Sequence, residues 1–558
     1  MKKGEIKKKE EDYITELGKK LRKSYKKKHP EFKEKIKSGQ SEEKNISFSE
    51  KLMPELLSIA KDNYSIAGNI FYEIISDKKE SKATEFLAKF IENNNYIYTL
   101  RNDKDTEIWI YKDGIYIQQG KTLIKEQLRK ILGSGIKVRL LPDIFLKIEL
   151  DTMIDIENFF SHFSSKEFLH LIPIKNGLFN INSNKLEPFN PKIIFTTRIP
   201  VSYNSNAKCP HIEEFIKDVL EGENEKQTEE NIKLFYEIAG FSLYRDYFIE
   251  KAVIFDGYGR NGKTKTQELI RNFIGVENSS SVPLSQLTED SFSISELFNK
   301  HINVAGDLSN TNLKDTSTLQ KTIGRDRLNA KRKFLTDVKF TNFAKHIFST
   351  NELPKTYTTH RGFWDKWILI SFRNTFVEQK EYDKFKTDEE KKNKKPLNPE
   401  ILKDLITQEE LDGLFLKAIQ GLNNLRKNKQ FCYNTTSEQV KENWIKKSDS
   451  FFYFAMENIE AGDLTDDNDI ILKGKIRKMY SLFCKDHKLK GCSDQVIKIT
   501  LQENFGADEY RTHDQRTYWI GIKIKANSKY ITEIEKKEIE KIEIEKRIKK
   551  AKELLTIN

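Results

Sequence analysis

Gly257, Gly262, Lys263 and Thr264 fall in the run AVIFDGYGRNGKT, with four residues between the two glycines. That spacing satisfies the phosphate-binding loop pattern in full. Glycines let the backbone amides turn toward phosphate oxygens, and the N-terminus of a following helix adds the positive end of its dipole. Lys263 would neutralise β- and γ-phosphates, and the Thr264 hydroxyl would ligate Mg²⁺. The predicted chemistry is binding of a nucleoside triphosphate.

Hydrolysis of that triphosphate needs a carboxylate at the end of a neighbouring strand, to hold Mg²⁺ and orient water. HINVAGDLS supplies Asp307, 44 positions after Lys263, far enough for a helix and a connection between them. KHIFSTNELP follows, an apolar run whose polar end is Asn351 and which Pro354 terminates. A side-chain amide there would bond the γ-phosphate or the attacking water. Each of the two runs alone is a strand ending in a turn. Phosphate loop, acid-ended strand and Asn-ended strand in that order, within about 90 residues, form the pattern of a hydrolytic site. Gly306 precedes Asp307, so the acid stands singly; the general base is Asp307 or a residue elsewhere.

The elements that must position these residues are legible as well. Ala252 to Phe255 has the composition of a buried strand and TKTQELIRNFIG that of a helix, which puts the glycines at a strand-to-helix turn. From Asn231 to Phe376 the runs KAVIFDG, HINVAGD, KHIFSTN and KWILISF each end in a polar residue or turn, the signature of an α/β nucleotide-binding sheet. Upstream, IWIYKDGIYIQQG reads as a hairpin about Asp113 and Gly114. It opens a mixed segment running through NGLFNI, LEPFNP and RIPVSYN to the helix HIEEFIKDVL. The polar break DEEKKNKKPLNP follows the sheet, then helices to Lys447, then short helices and strands ending at YWIGIKI. These shifts divide the chain into a basic arm (1–45), a small helical unit (46–94), a mixed α+β domain (95–230), an α/β sheet domain (231–387), a C-terminal region of helices and short strands (400–524) and a charged helical tail (525–558).

Composition bounds the rest. A chain of 558 residues is too long for one ordinary core. Lys and Arg total 97 against 85 Asp and Glu, a net +12, which favours a polyanionic partner. Residues 1–37 hold 15 basic and 7 acidic side chains, a net +8, so most of the excess is one N-terminal block. No run of 18 apolar residues occurs, and MKKGEIKKKEEDY lacks a secretory apolar stretch, so an intracellular, soluble protein without membrane contact is expected. Four cysteines fit a reducing compartment. Cys484, His487 and Cys492 lie close together but match no common zinc spacing. Asp155 and Glu157 form an acidic pair that reads as a helix surface rather than an acid/base couple. Lys331, Arg332 and Lys333 follow a turn at Gly324 and Asp326 and place three positive charges between the acid-ended and Asn-ended strands. Such residues contact phosphates without reading sequence, or else form a solvated basic face.

These residues resemble the superfamily 3 helicases of the poxvirus and phage/plasmid primase-helicase type, within the wider AAA+ ATPase group. The resemblance spans about Glu107 to Ile524. GYGRNGKT looks like the Walker A motif, which makes Gly257, Gly259, Asn261, Gly262, Lys263, Thr264 and Lys265 the expected nucleotide-binding residues. INVAGDLS looks like Walker B, with Asp307 and Thr264 about Mg²⁺, and FSTNELP like motif C, with Asn351 as sensor. LQKTIGRDRLNAKRKF looks like motif B-prime, whose hairpin grips DNA through Lys331, Arg332 and Lys333. The fold implied is α/β: a P-loop AAA+-like ATPase core, a mixed α+β domain before it and a helical, winged-helix domain after it. Also implied are ATP and Mg²⁺ as cofactors, DNA as partner (a single strand in a channel, a forked duplex), a homo-hexamer, a separate primase or polymerase, and a host cytoplasm. The residues before Glu107 offer no clustered carboxylates for a primase.

One departure touches the residue that reaches a neighbour's γ-phosphate. Where the family has arginine, GFWDKWILISF has Lys366, which carries charge without the bidentate fork of a guanidinium. Arg361 and Arg373 are the nearby alternatives. The sequence therefore supports an ATP-driven replicative helicase of a virus, plasmid or other mobile element, with an ATP-assembled initiator or scaffold as the competing reading. A small-molecule kinase would leave motif B-prime without a purpose.

Overall fold

The apolar runs of the sequence become two sets of sheets in the computed structural model. It describes residues 53–531 except 77, 102–105, 136–137, 163–164, 290–292, 307–316, 332–336, 355–359, 467–468, 488, 490 and 513–514. The basic arm at 1–45 and the tail beyond 531 lie outside the described residues. The chain divides into two compact units, residues 1–198 with 332–338, and residues 199–331 with 339–558.

In the first unit, helices α1 (Tyr64–Ser76), α2 (Glu80–Asn93), α3 (Gly120–Leu132) and α4 (Leu141–Asp151) accompany strands β1 (Ile97–Leu100), β2 (Glu107–Lys112), β3 (Ile115–Ile117) and β4 (Met153–Ile154). The sheet order is β3-β2-β1-β4. Its first three strands are antiparallel neighbours, and β4 runs parallel to β1. The expected β2–β3 hairpin forms, turning at Asp113 and Gly114, both with positive φ. Ala83, Phe86, Leu87 and Phe90 of α2 share one core with Ile97, Ile108, Ile124 and Ile144, so the helices expected at 46–94 pack with the strands that follow them. Helix α5 (Ile156–His162) leads to a three-stranded antiparallel sheet of β5 (Leu171–Ile174), β6 (Gly177–Asn180) and β7 (Lys185–Glu187).

The second unit opens with α6 (Pro210–Val219) and α7 (Glu225–Leu243), the latter capped by the Asn224 side chain. Its five-stranded sheet has the order β14-β8-β13-β10-β9. The strands are β8 (Ala252–Asp256), β9 (Ser279–Ser280), β10 (Ile302–Ala305), β13 (Lys345–Thr350) and β14 (Trp367–Ser371), and all pairs are parallel. Parallel strands buried on both faces read as continuous apolar runs, which is why AVIF and WILI stand out in the sequence. Helix α8 (Lys263–Ile274) follows β8 and buries Thr266, Leu269, Ile270 and Phe273 at helical spacing. Truncating Leu269 to alanine there would cost about 2–5 kcal/mol.

Between β10 and β13 stand α9 (Ser317–Ile323) and a two-stranded ribbon of β11 (Arg327–Ala330) and β12 (Val338–Thr341). The short helix α10 (Arg361–Trp364) precedes β14. The expected polar break at Asp388–Pro399 is ordered differently: Thr387 and Glu390 form a capping box over a helix at Asp388–Lys391. β16 (Lys394–Pro396) then pairs with β15 (Thr375–Val377). The long helix α11 (Gln408–Asn428) follows, capped by Thr407.

Helix α12 (Ser437–Ser448) carries Trp444, expected in the C-terminal region but packed on the sheet. Its indole is fully buried against the rings of Phe363, Trp364 and Trp367, because four large aromatics exclude water together better than any one does alone. Beyond it come α13 (Ser450–Asn458), β17 (Ile459–Ala461), β18 (Ile470–Leu472), α14 (Lys473–Asp486), α15 (Asp494–Phe505), β19 (Asp508–Arg511), β20 (Thr517–Ile520) and β21 (Ile522–Ile524). β20 lies between β18 and β19, β17 pairs with β21, and Phe454, Phe483, Leu501 and Trp519 fill the core.

Candidate nucleotide-binding site

Strand β8 ends at Asp256, and the chain turns at once. Gly257 has φ +153°, and a Cβ there would stand 2.2 Å from Asn261 Nδ2 and 2.6 Å from the Phe372 carbonyl. Gly262 has φ +90°, and its Cβ would stand 2.5 Å from Val219 Cγ1. Side chains at either position would clash as well as strain the backbone, so the two spaced glycines are a steric requirement of the turn. Between them Arg260 adopts φ +60°, and its carbonyl accepts the Phe376 amide at 2.7 Å. Gly259 is exposed, with nothing near its missing Cβ.

Lys263 begins α8 and is only 7% exposed. Its ammonium donates to the Gly257 carbonyl at 2.5 Å, to Asn261 Oδ1 at 3.1 Å and to Asn351 Oδ1 at 3.1 Å. The Asn261 amide is buried and donates to the Phe372 carbonyl at 3.3 Å. Thr264 is exposed in the first turn of α8, whose N-cap, Gly262, contributes no side-chain bond. No acidic residue stands in that turn and Arg271 lies in the last, a distribution that leaves the positive end of the helix uncompensated. Lys265 points away, paired with Glu268 at 3.2 Å.

Asn351 follows β13, whose Thr350 lies in register with Asp256 of β8. β10 is the next strand, with Ala305 in register with Phe348. Gly306 is exposed just beyond it, and Asp307 lies outside the described residues. The carboxyl ends of β8, β13 and β10 thus adjoin, the crevice where parallel sheets hold ligands.

Two sets of residues that hold this edge together are not evident from the motifs. Gln267, one helical turn past Lys263, is buried; it donates to the Ala305 carbonyl at 3.2 Å and accepts from Ser349 Oγ at 3.1 Å, tying α8 to β10 and β13. The spacing of four from Lys263 puts both on one helix face and was the available signal. Asp256 is 5% exposed and accepts from Ser371 Oγ at 3.1 Å and from Lys447 Nζ. No sequence pattern links Lys447 to it.

Lys366, Arg361 and Arg373 stand in three different environments. Lys366 stands at the amino end of β14, in line with Lys251, and pairs with Glu250 at 2.6 Å with its side chain 15% exposed. Arg361 opens α10 with its side chain 87% exposed and Asp365 at 3.8 Å. Both belong to the edge of the sheet opposite the Gly257–Gly262 turn, roughly 16 Å away by the strand rise over β8. Arg373 lies on the loop's own edge and pairs with Glu223 at 2.8 Å.

Lys331 is exposed at the end of β11, and its carbonyl accepts from Ser295 Oγ at 2.9 Å; Arg332 and Lys333 lie outside the described residues. The ribbon's base is fixed by an ion pair of Arg325 with Asp246 and by Asn342, which donates to the Thr322 carbonyl at 2.9 Å.

Among the described residues no group of three or more His, Cys, Asp or Glu is placed to hold a metal ion. Cys484 is buried, and the His487 ring packs 4.3 Å from that of Phe483. Asp155 faces Arg101 at 3.4 Å. No helix of the described residues is long and apolar enough to cross a membrane.

Residues 255–361, from the end of β8 to Arg361, match a family described as of unknown function, DUF5906. No curated protein matches the chain. Among solved structures, the apo NrS-1 C terminal region (305-718) aligns over 78% of this chain and 98% of that one, at 14% identity and a TM-score of 0.43. An A form apo structure of the same region aligns over the same shares, at 14% identity and 0.39. Residues 85–221 match the family described as "D5 N terminal like", so this segment is similar to that family.

Proposed function

We propose that the chain is an ATP-dependent DNA helicase of the superfamily 3 type, serving replication of a virus, plasmid or other mobile element and acting as a homo-hexameric ring. The observation that carries this reading is the 3.1 Å contact between Lys263 and Asn351, which joins a complete phosphate-loop motif to the Asn-ended strand beside it. A D5-like segment ahead of the sheet supports it. So does the C-terminal order of helix, two strands, two helices, a hairpin and a last strand, in which β18 pairs back on β20 of the hairpin as in a winged helix.

In this mechanism the turn at Gly257–Gly262 cradles the phosphates of ATP, and Lys263 exchanges a protein acceptor for the β- and γ-phosphates. The residues fit the group: the loop's tight glycines keep its backbone free of side chains, and Thr264 offers an exposed hydroxyl at a helix N-terminus. Thr264 and Asp307 would hold Mg²⁺, which supplies charge neutralisation at the transferring phosphoryl group. Asn351 would hold the γ-phosphate or the attacking water in line, and the water's proton goes to Asp307 or to a base elsewhere. Arg361 is the candidate reaching a neighbour's site, given its exposure. Lys331, Arg332 and Lys333, which follow β11 in the chain, would meet the phosphates of a single strand.

The ion pair between Lys366 and Glu250 favours a second reading, an initiator or scaffold that assembles on DNA with ATP but turns it over slowly, because a paired lysine is a poor substitute for an arginine fork. ATP turnover and unwinding on forked DNA, run beside particle imaging for rings, separate the two. Nucleotide-dependent rings without DNA-stimulated turnover would support the scaffold.

A further inference from the structure

Lys447 lies on α12, 191 positions after Asp256, yet its ammonium bonds the Asp256 carboxylate and, at 3.0 Å, Ser371 Oγ. Asp256 is the last residue of β8 and adjoins Gly257, so a nearly buried carboxylate sits at the root of the phosphate loop. Burying a carboxylate this far from water is costly unless it is paired with a cation or bonded by several donors. Lys447 is the cation, and Ser371 is shared between them. The same neighbourhood is wired into the loop: the Phe372 amide donates to the Asp256 carbonyl at 2.8 Å, and the Phe372 carbonyl accepts from Asn261, which in turn accepts from Lys263.

One turn earlier on the same face of α12, Trp444 donates its indole N–H to the Pro354 carbonyl at 2.8 Å, three residues after Asn351. The amino end of α12 is also tied down, by Ser437 to Asp365. Helix α12 therefore reaches both sides of the Lys263–Asn351 contact. It passes without a linker into α13, because Asp449 ends one helix and caps the next through Phe452 N at 3.0 Å.

We propose that Lys447 is a positioning residue for the nucleotide site: by pairing with Asp256 it sets the geometry of the phosphate loop, and through α12 it makes that geometry answer to the C-terminal helices and hairpin. This rests on the nucleotide-binding reading of Gly257–Thr264. Lys447 itself touches no phosphate; it acts through Asp256 and Ser371.

The test compares full-length wild type, K447M, K447R, D256N/K447M and K263A for steady-state ATP turnover and thermal melting. K447M is expected to raise KM for ATP at least tenfold while kcat falls less than threefold. K447R, which can still span Asp256 and Ser371, should stay within threefold of wild type in both. D256N/K447M removes the stranded charge, so it should melt like wild type and keep the raised KM. A folded K447M with unchanged KM overturns the proposal, as does a double variant that recovers KM together with its melting temperature, since the pair would then be structural alone. If wild type itself shows no turnover, or K263A turns over like wild type, the nucleotide-site reading has failed instead.

Discussion

Lys263 and Asn351, 88 positions apart in the chain, meet at 3.1 Å across the carboxyl ends of two adjoining strands. The contact places a fixed positive charge against a neutral amide oxygen, so Asn351 is oriented with its NH₂ group available for a phosphate or water. Replacing it by alanine removes the orienting group without removing the cradle. N351A is expected to lower kcat for ATP roughly 10²-fold with nucleotide affinity changed less than threefold, as for loss of one preorganised donor. A loss of affinity with kcat unchanged would show that Asn351 serves binding only.

The ribbon can be tested apart from the phosphate loop. Its base is anchored by Arg325 and Asn342, well away from that loop, so truncating Lys331, Arg332 and Lys333 together to alanine should leave basal ATP turnover intact. Unwinding should fail. Affinity for a single strand should drop, and its log-log salt slope should become shallower by about 0.7 for each phosphate no longer neutralised. Unwinding at full rate with an unchanged slope would leave these side chains as a solvated basic face.

Arg361 and Lys366 can be told apart by mixing subunits. The exposed Arg361 should be needed in trans: R361A should lose turnover at least tenfold, and adding active-site-dead K263A subunits, whose Arg361 is intact, should restore part of it. K366A should instead mainly lower stability, by removing the partner of Glu250. An R361A protein with normal turnover would move the role to Lys366 or Arg373.

Acid should weaken the second unit through two buried histidines. Burial holds His301 down to about 3, with Arg245 and Lys345 adding to it, and burial holds His346 down to about 3. Both are neutral in the folded protein, with His346 bonded to Thr322 Oγ1 at 2.9 Å and facing Asn303. Above pH ~6.5 the unfolded chain is neutral at these sites too and stability does not change. Below it only the unfolded chain takes up protons, so each histidine costs about 1.4 kcal/mol per pH unit until the folded value is reached. Urea melts at pH 7, 6 and 5 should show this fall, with a smaller slope for H346Q. Equal slopes for H346Q and wild type would contradict the assignment.

Much of this site is legible in the sequence because its residues are local. The turn after β8 needs glycines at Gly257 and Gly262 for steric reasons that leave a fixed spacing in the sequence, and Asn351 follows an apolar run that reads as a buried strand. The β2–β3 hairpin is equally legible from Asp113–Gly114. What stays hidden depends on distant partners. Lys447 looks like any surface lysine until α12 is laid along β14, and Trp444 looks like C-terminal core until Phe363, Trp364 and Trp367 surround it. The polar run at Asp388–Pro399 reads as a break because its order comes from a capping box and a two-stranded pairing rather than from apolar periodicity.

In the proposed function Lys263 and the loop around it bind and turn over ATP to separate DNA strands. The most direct measurement is ATP hydrolysis and unwinding of a forked duplex by wild type and K263A, with circular dichroism to verify that the variant is folded. Wild type is predicted to hydrolyse ATP faster with the fork present and to unwind it, and folded K263A to lose at least a hundredfold in both. Turnover in folded K263A equal to wild type, or a wild type that neither hydrolyses ATP nor separates strands, would contradict the account.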